Sequence, residues 1–539
     1  MGDCNPAGNG LVGNVDHVRL AGGIEVGEHR GFRKGQWGYD IRMSLSASWI
    51  LPRARSLLVA LSLGVVNVGL VCAQPVDLPR LGDAAGDQLS PLAERRLGDS
   101  IMREIRRERA LLDDPELTDY LNRLAARLAA QPAASGFSFE LFAVDDRSIN
   151  AFALPGGYIG VHTGLVASAQ AESELASVLA HELGHVTQRH VARMLAAQQQ
   201  SSSVMVASLV AALLAARSNP QAAVGLASLG STVQMQQILG FSRDAEREAD
   251  RVGVEMLQQA GFDPQGMVEF FGRLQAVSRL SEAALPGYLR THPLSGERMS
   301  DIQNRVMALR YRQHADSIEF MMLRARYRVL ADRTPEGLQR ASQIMARQIE
   351  DGAVRPAVGH YAIASGALVA GDLSGARRAI ALARQALASP HSFIEHVAVL
   401  IELEAGQART ALAIADRAIE RLGATRALAR ARIRALSALG DWPAAALASE
   451  QALESARSDT ELWALLARAE AARGNQAKAH LAMAEIHTMN GVWIAAIDQL
   501  QAAQRTRQLD FYASSKVDAR VRELRATFLQ EREDRRSGR

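Results

Sequence analysis

Apolar and polar positions recur along this chain with two periods, and the changes between them mark its elements. Ser90-Pro91 offers an N-cap and a first-turn proline for a helix reaching about residue 109, and Asp114-Pro115 repeats that signature for a helix to Ala130. Phe137, Phe139, Leu141 and Ala143 then alternate with other residues. Apolar runs at 149–154 and 158–162 flank the turn Pro155-Gly156-Gly157, so a small antiparallel sheet is predicted. A strongly helical stretch follows, from residue 171 to about 199. Beyond it lie two apolar stretches, 204–216 and 222–239, separated by Arg217-Ser218-Asn219-Pro220. As a helical hairpin they would pack on the core, cover a cleft as a lid, or rest against a membrane, and the first is too short to span one.

From about Asp316 onward the pattern is helix after helix. Gly371, Gly406, Gly440 and Gly474 recur at spacings of 35, 34 and 34 residues, each ahead of an Ala-rich helix. That period is the tetratricopeptide signature, and such arrays stack into a superhelix with a concave groove. Because full consensus residues are sparse, an irregular helical bundle is the alternative. A total of 539 residues exceeds what one core can bury, so two folded units are expected. An aromatic share of 5% beside abundant Ala, Leu and Arg favours helices over sheets. The predicted class is α+β: a mainly helical unit with a small sheet over residues 74–315, an all-α repeat superhelix over 316–515, and a charged tail over 516–539 that frays beyond a last helix.

The N-terminus has the character of targeting sequence. Arg53 and Arg55 precede an apolar run from residue 57 to 71, which ends at Val71-Cys72-Ala73 before Gln74, the pattern of a signal peptide over 43–73 cleaved near Ala73. Residues 1–42 are Gly-rich and unpatterned, either a disordered extension or untranslated sequence ahead of Met43. The expected location is therefore extracytoplasmic. Only Cys4 and Cys72 are present, so a chain starting at Gln74 has neither disulfides nor cysteine–metal sites. A net charge of +3 without a basic run or interleaved aromatics argues against nucleic acid as a partner.

The candidate chemistry lies in the helix after the sheet. His181-Glu182-Leu183-Gly184-His185 fits H-E-x-x-H: residues four apart share a helix face, so two imidazoles converge on one metal while the Glu faces its water. Catalytic zinc takes three protein ligands and an open position. In Ser242-Arg243-Asp244-Ala245-Glu246-Arg247-Glu248-Ala249-Asp250, Glu246 and Asp250 share a face. Glu246 is assigned as the third ligand, and Asp250 as the acceptor that fixes the tautomer of a ligand histidine. The alternative is that these acids form a solvated face.

These residues carry a resemblance. H-E-L-G-H followed by S-R-D-x-E-x-E-A-D resembles the HtpX-type zinc metallopeptidases, specifically their periplasmic, BepA-like branch. The likeness runs from Leu89 through Asn150-Ala151-Phe152-Ala153, Pro155-Gly156-Gly157 and Thr291-His292-Pro293 into the repeats. It implies one zinc ion per chain, held by His181, His185 and Glu246, with Glu182 as the catalytic base. It also implies that proteolysis of stalled clients coexists with assistance to outer-membrane β-barrel assembly. Clients would be unfolded or misassembled outer-membrane proteins, and the β-barrel assembly machinery is a candidate partner for the repeats.

Other positions carry two readings. His292 precedes a proline that keeps it out of a helix; it either lies near the metal, stabilising an oxyanion or plugging the open position, or anchors a loop. Asn150, Ala151, Phe152 and Ala153 form either a substrate-binding strand that pairs with an extended peptide or an ordinary core strand. His162 and His190 are read as structural, His190 because five positions past His185 lies off the ligand face. At the level of the whole chain, the rival to a zinc endopeptidase is a repeat-based chaperone or scaffold with a vestigial metal site. A zinc aminopeptidase lacks an identifiable amine-binding carboxylate.

Overall fold

The computed structural model describes residues 89–107, 111–130, 134, 136–198, 242–280 and 287–537. The segment expected to be a signal peptide and the apolar segment 204–239 lie outside the described residues. Helix α1 (Pro91–Arg107) starts with Ser90 Oγ accepting the Ala93 amide at 3.2 Å, and α2 (Pro115–Ala129) with Asp114 accepting the Leu117 amide at 3.0 Å. Both boundaries follow from a short polar cap followed by a proline whose missing N–H costs nothing there.

Strands β1 (Glu140–Val144), β2 (Ala151–Leu154) and β3 (Tyr158–His162) form a sheet in the order β1-β3-β2. β2 and β3 make the expected antiparallel hairpin across Pro155-Gly156-Gly157, where Gly156 and Gly157 have φ of 75° and 84°. β1, however, pairs with β3 in parallel, so the sheet is mixed rather than wholly antiparallel. The connection 145–150 carries the chain past β3, and no local pattern encodes that crossing. One consequence matters for the site: within the described residues β2 is an edge strand. His162 N donates to Asn150 O at 3.1 Å, which makes 150/162, 152/160 and 154/158 the bonded pairs. The backbone groups of Ala151 and Ala153 therefore face the edge that no strand pairs with, where Ala151 itself is buried.

After α3 (Thr163–Ser168) comes α4 (Glu172–Thr187), every residue of which is buried. Such a helix has no polar face and must be walled in on all sides. Its neighbours are α2, β2, α6 (Arg243–Ala260) and α7 (Gln265–Leu280). The helix expected over 171–199 is in fact two, because the chain turns at Gln188-Arg189, with Arg189 at φ 53°, before α5 (His190–Gln198). α4 and α6 approach closely at small residues. A Cβ added at Gly184 would lie 3.0 Å from Ala249 Cα, and one at Gly253 would lie 3.2 Å from the His181 nitrogen. α8 (Gly287–Thr291) and α9 (Gly296–Met307) complete this part.

The remainder is all helical: α10 (Ile318–Val329), α11 (Pro335–Glu350), α12 (Pro356–Val369), α13 (Leu373–Gln385), α14 (Ser392–Glu404), α15 (Ala408–Leu422), α16 (Arg426–Ala438), α17 (Trp442–Ser455), α18 (Thr460–Ala472), α19 (Gln476–Met489), α20 (Trp493–Arg505) and α21 (Phe511–Ser537). Gly371, Gly406, Gly440 and Gly474 each sit at the turn inside one helix pair, with φ between 70° and 80°. A left-handed turn residue, rather than lack of space, is why glycine recurs there. The stretch beyond 516 does not fray at once: Val517, Val521 and Leu524 of α21 are buried, so the helix packs well into the segment read as a tail. No helix among the described residues is long and apolar enough to cross a membrane.

The helical region is built into the first part rather than strung from it. Asp316 Oδ1 caps α4 by accepting the Glu172 amide at 2.8 Å, and Glu172 in turn accepts Ser317 Oγ at 2.6 Å and Tyr120 Oη at 2.8 Å. Buried Arg326 of α10 pairs with Asp114 and Glu116 at the start of α2, with Tyr361 Oη 2.7 Å away and His396 Nδ1 2.9 Å from Glu116. Removing one partner of a buried ion network leaves charge without compensation. Arg326→Ala should therefore lower stability by about 3–5 kcal/mol in urea unfolding. Gly184→Val should cost about 1–3 kcal/mol through overpacking, and by separating α4 from α6 it should also reduce metal bound per chain, read by elemental analysis.

Candidate metal centre

Two facing helices supply the centre. His181 and His185 stand one turn apart on α4. Glu246 lies in the first turn of α6, which Ser242 caps, and Asp250 lies one turn later. The glycine contacts bring these faces together. The Nε2 atoms of His181 and His185 are 3.0 Å apart, and Glu246 Oε2 and Oε1 stand 3.4 Å and 3.5 Å from them respectively. His292 enters from the bend after α8, with Nδ1 3.0 Å from Glu246 Oε1 and 3.4 Å from His181 Nε2. One donor atom from each of His181, His185, Glu246 and His292 lies within 4.8 Å of the other three, and all four residues are buried.

The surrounding contacts fix how these donors face. Asp250 Oδ1 is 2.9 Å from His181 Nδ1, and Arg298 grips Asp250 through both carboxylate oxygens at 2.8 Å. Arg298 also reaches Glu246 Oε2 and the Pro293 carbonyl, each at 2.7 Å, so one guanidinium orients both acids of α6 and the loop that carries His292. Tyr288 stacks on His292, with ring centres 4.6 Å apart, and its buried hydroxyl has no hydrogen-bond partner among the described residues. His190 is buried against His185. His162 lies outside the cluster and bonds Ser148 at 2.9 Å, tying the end of β3 to the connection that precedes β2.

The electrostatics favour positive charge at the centre of the cluster. Burial works against ionised Glu246, yet His292 and His181 hold its carboxyl well below the usual range. Burial likewise disfavours charge on His181, but hydrogen bonds to Asp250 and Glu246 push its pKa up to about 9. His185 goes the other way: burial and the neighbouring His181 keep it neutral. One carboxylate and three imidazoles converging in a buried pocket, with two imidazole Nε2 atoms face to face, form a donor set that fits a divalent metal of borderline softness. Glu182 stands beside it. Burial raises its pKa, and His292 Nε2 is 3.4 Å from Oε1. The Ala153 amide, on the unpaired edge of β2, is among the groups favouring its ionised form.

All the site residues expected from sequence thus lie together: the donors and Glu182 at the centre, Asp250 behind His181, and residues 150–153 on the edge strand alongside α4. Asn150 Oδ1 is buried without a partner among the described residues. Sequence reasoning missed Arg298 and Tyr288, whose roles come from contacts across the fold and leave no local pattern. His190, read as a structural residue off the ligand face of one continuous helix, stays outside the donor cluster, but the turn at Arg189 sets it against His185 Nδ1 at 2.9 Å.

Comparison with known proteins agrees with this geometry. Residues 112–306 match the model of peptidase family M48. The chain is 32% identical to the beta-barrel assembly-enhancing protease of Escherichia coli K12 over 88% of its own length and 97% of that protein's. It is 33% identical to the protein of that name from Yersinia pestis, over 86% and 95% of the two chains. The metalloprotease LoiP of Escherichia coli K12 is 28% identical over 48% of this chain and 98% of its own. With the H-E-x-x-H helix and the acidic α6 inside the matched region and the likeness extending through the all-helical C-terminal region, the chain belongs to peptidase family M48, in the group of the beta-barrel assembly-enhancing proteases.

Proposed function

We propose that this chain is a zinc-dependent endopeptidase of the bacterial periplasm, released there by signal-peptide cleavage near Ala73. In this reading it cleaves unfolded or misassembled outer-membrane proteins. The observation that carries the proposal is the convergence of His181, His185 and Glu246 on one buried point with Glu182 beside it. Those three residues would hold one zinc ion, and Glu182 would be the general base. Zinc bound there supplies Lewis acidity, polarising a scissile carbonyl and acidifying the attacking water. Glu182, with its basicity raised by burial, takes the proton of that water and delivers it to the leaving amine. Asp250 holds His181 with its Nδ1 proton outward, keeping Nε2 turned to the centre.

An extended peptide would pair with the unpaired edge of β2, which α8 borders at Ile149. The outward backbone groups of Ala151 and Ala153 supply hydrogen bonds that make little demand on sequence, which suits unfolded clients. His292 lies within the donor cluster itself, which favours a removable plug over an oxyanion donor: an imidazole at the fourth position keeps the site closed until the loop moves. In the proposed domain layout, 74–315 is the peptidase and 316–515 a tetratricopeptide array. The left-handed glycine turn inside each helix pair supports the array assignment. Relatives named for enhancing β-barrel assembly support a second role for it, as a chaperone surface that engages clients and the assembly machinery. A wholly non-proteolytic scaffold is the competing reading, and intact donors and base weigh against it.

Zinc content and casein cleavage test these assignments. The wild-type protein should hold one zinc per chain, and Glu182→Gln should keep that zinc while losing turnover by about a hundred- to ten-thousandfold. Absence of zinc from the wild type would end the ligand assignment, and cleavage by Glu182→Gln at the wild-type rate would remove Glu182 as base. His292→Ala should retain zinc and cleave faster by about tenfold, equivalent to relief of ~1.4 kcal/mol of closure. An unchanged or lower rate with zinc still bound would refute the plug.

A further inference from the structure

The break between α4 and α5 has a chemical result. In an unbroken helix residue 190 would stand about 140° around the axis from His185 and could not reach it. Instead Arg189 adopts a left-handed backbone at φ 53°, a conformation disfavoured for a residue with a Cβ. Its guanidinium is held in place by Glu94, 3.3 Å away, and by the Leu89 carbonyl. The turn folds His190 back into the core, where its Nδ1 meets His185 Nδ1 at 2.9 Å. His190 Nε2 meets Glu248 Oε2 at 3.1 Å, and Arg193 pairs with the same oxygen at 3.2 Å.

We propose that His190 and Glu248 form a positioning relay behind the metal ligand His185, setting its tautomer and orientation. The inference rests on the reading of His185 as a zinc ligand. Proton positions then follow in sequence. A metal ligand must present an Nε2 lone pair, so His185 carries its proton on Nδ1 and donates it to His190 Nδ1. His190 must then be the neutral tautomer protonated on Nε2, which donates to Glu248. Each link has one donor and one acceptor, and no proton is left over or missing. Both ligand histidines are thereby backed by a carboxylate of α6: His181 directly by Asp250, and His185 through one interposed imidazole by Glu248. Glu248 is about one-third exposed. Its charge is therefore screened, and the relay acts on geometry and proton position more than on field.

The test uses the full-length protein with wild type, His185→Ala, His190→Leu, His190→Asn and Glu248→Ala. Zinc affinity is measured by chelator competition, the visible spectrum after cobalt substitution, and thermal melting of the metal-free forms. His190→Leu should weaken zinc binding by about ten- to a hundredfold and alter the cobalt bands. His190→Asn, which keeps an acceptor where Nδ1 stood, should recover most of the loss, and Glu248→Ala should show a smaller loss in the same direction. Metal-free melting temperatures should change little across the series, which separates positioning from packing. Wild-type affinity in His190→Leu, or equal losses in His190→Leu and His190→Asn, would overturn the relay. So would a loss accompanied by an equal fall in metal-free stability. Failure of the underlying reading looks different: either the wild type binds no zinc or His185→Ala binds it as tightly as wild type.

Discussion

The constraint on which the rest of this structure depends is the complete burial of a helix that carries two histidines and three glutamates. An unpaired polar group in such a place costs several kcal/mol, and an unpaired charge more. α4 is tolerated only because partners for its polar groups arrive from distant parts of the chain. Asp250 and Glu246 come from α6, Arg298 orders both of those acids, Arg273 pairs with Glu174, and Asp316 with Ser317 closes the N-terminus over Glu172. Gly184 and Gly253 are the packing side of the same requirement, since only close approach of α4 and α6 brings the acids within reach.

Attachment of the helical region follows from this. Its first residues cap α4, and Arg326 neutralises the acidic start of α2, so the first part cannot satisfy its own buried charges without the second. Arg430 extends the pattern by pairing with Asp113 at 2.7 Å and with buried Asp459 at 2.6 Å. At the far end Arg103 of α1 meets Glu531 at 2.6 Å beside the Trp493 ring, with both ion-pair partners partly exposed. Exposed pairs contribute little and weaken with salt, which applies still more to Asp113. The helical region is thus fixed most firmly at its start, where Arg326 and Glu116 are buried.

What could be read in the sequence was whatever the chain encodes locally. H-E-x-x-H works because four residues make about one helical turn, and Glu246 with Asp250 repeats the same spacing. Ser90-Pro91 and Asp114-Pro115 announce helix starts, and the glycines at 34- and 35-residue spacing mark turns that need a left-handed residue. The errors arose where geometry is set at a distance. The parallel pairing of β1 depends on a crossing past β3, and the packing of α21 depends on neighbours far upstream. The clearest case is His190. A periodicity argument holds only while the helix continues, and the break falls on Arg189, a residue type with no preference for positive φ. Its conformation is enforced by Glu94, which lies 95 positions earlier in sequence. No window around the motif contains that information.

The same long-range construction couples the proposed plug to the proposed substrate edge. α8 carries His292 at its end, and its Tyr288 amide donates to Ile149 O at 3.0 Å, immediately before β2. Gly287 lies against Asn150, close enough that an added Cβ would touch its side chain. A peptide pairing along Ala151 and Ala153 would therefore lie next to the segment that holds His292 in the donor cluster. Tyr288 stacks on His292, so the ring that precedes the bend packs directly on the imidazole it carries. Release of His292 need not await a large domain motion; displacement of one short helix hinged beside the substrate strand would be sufficient.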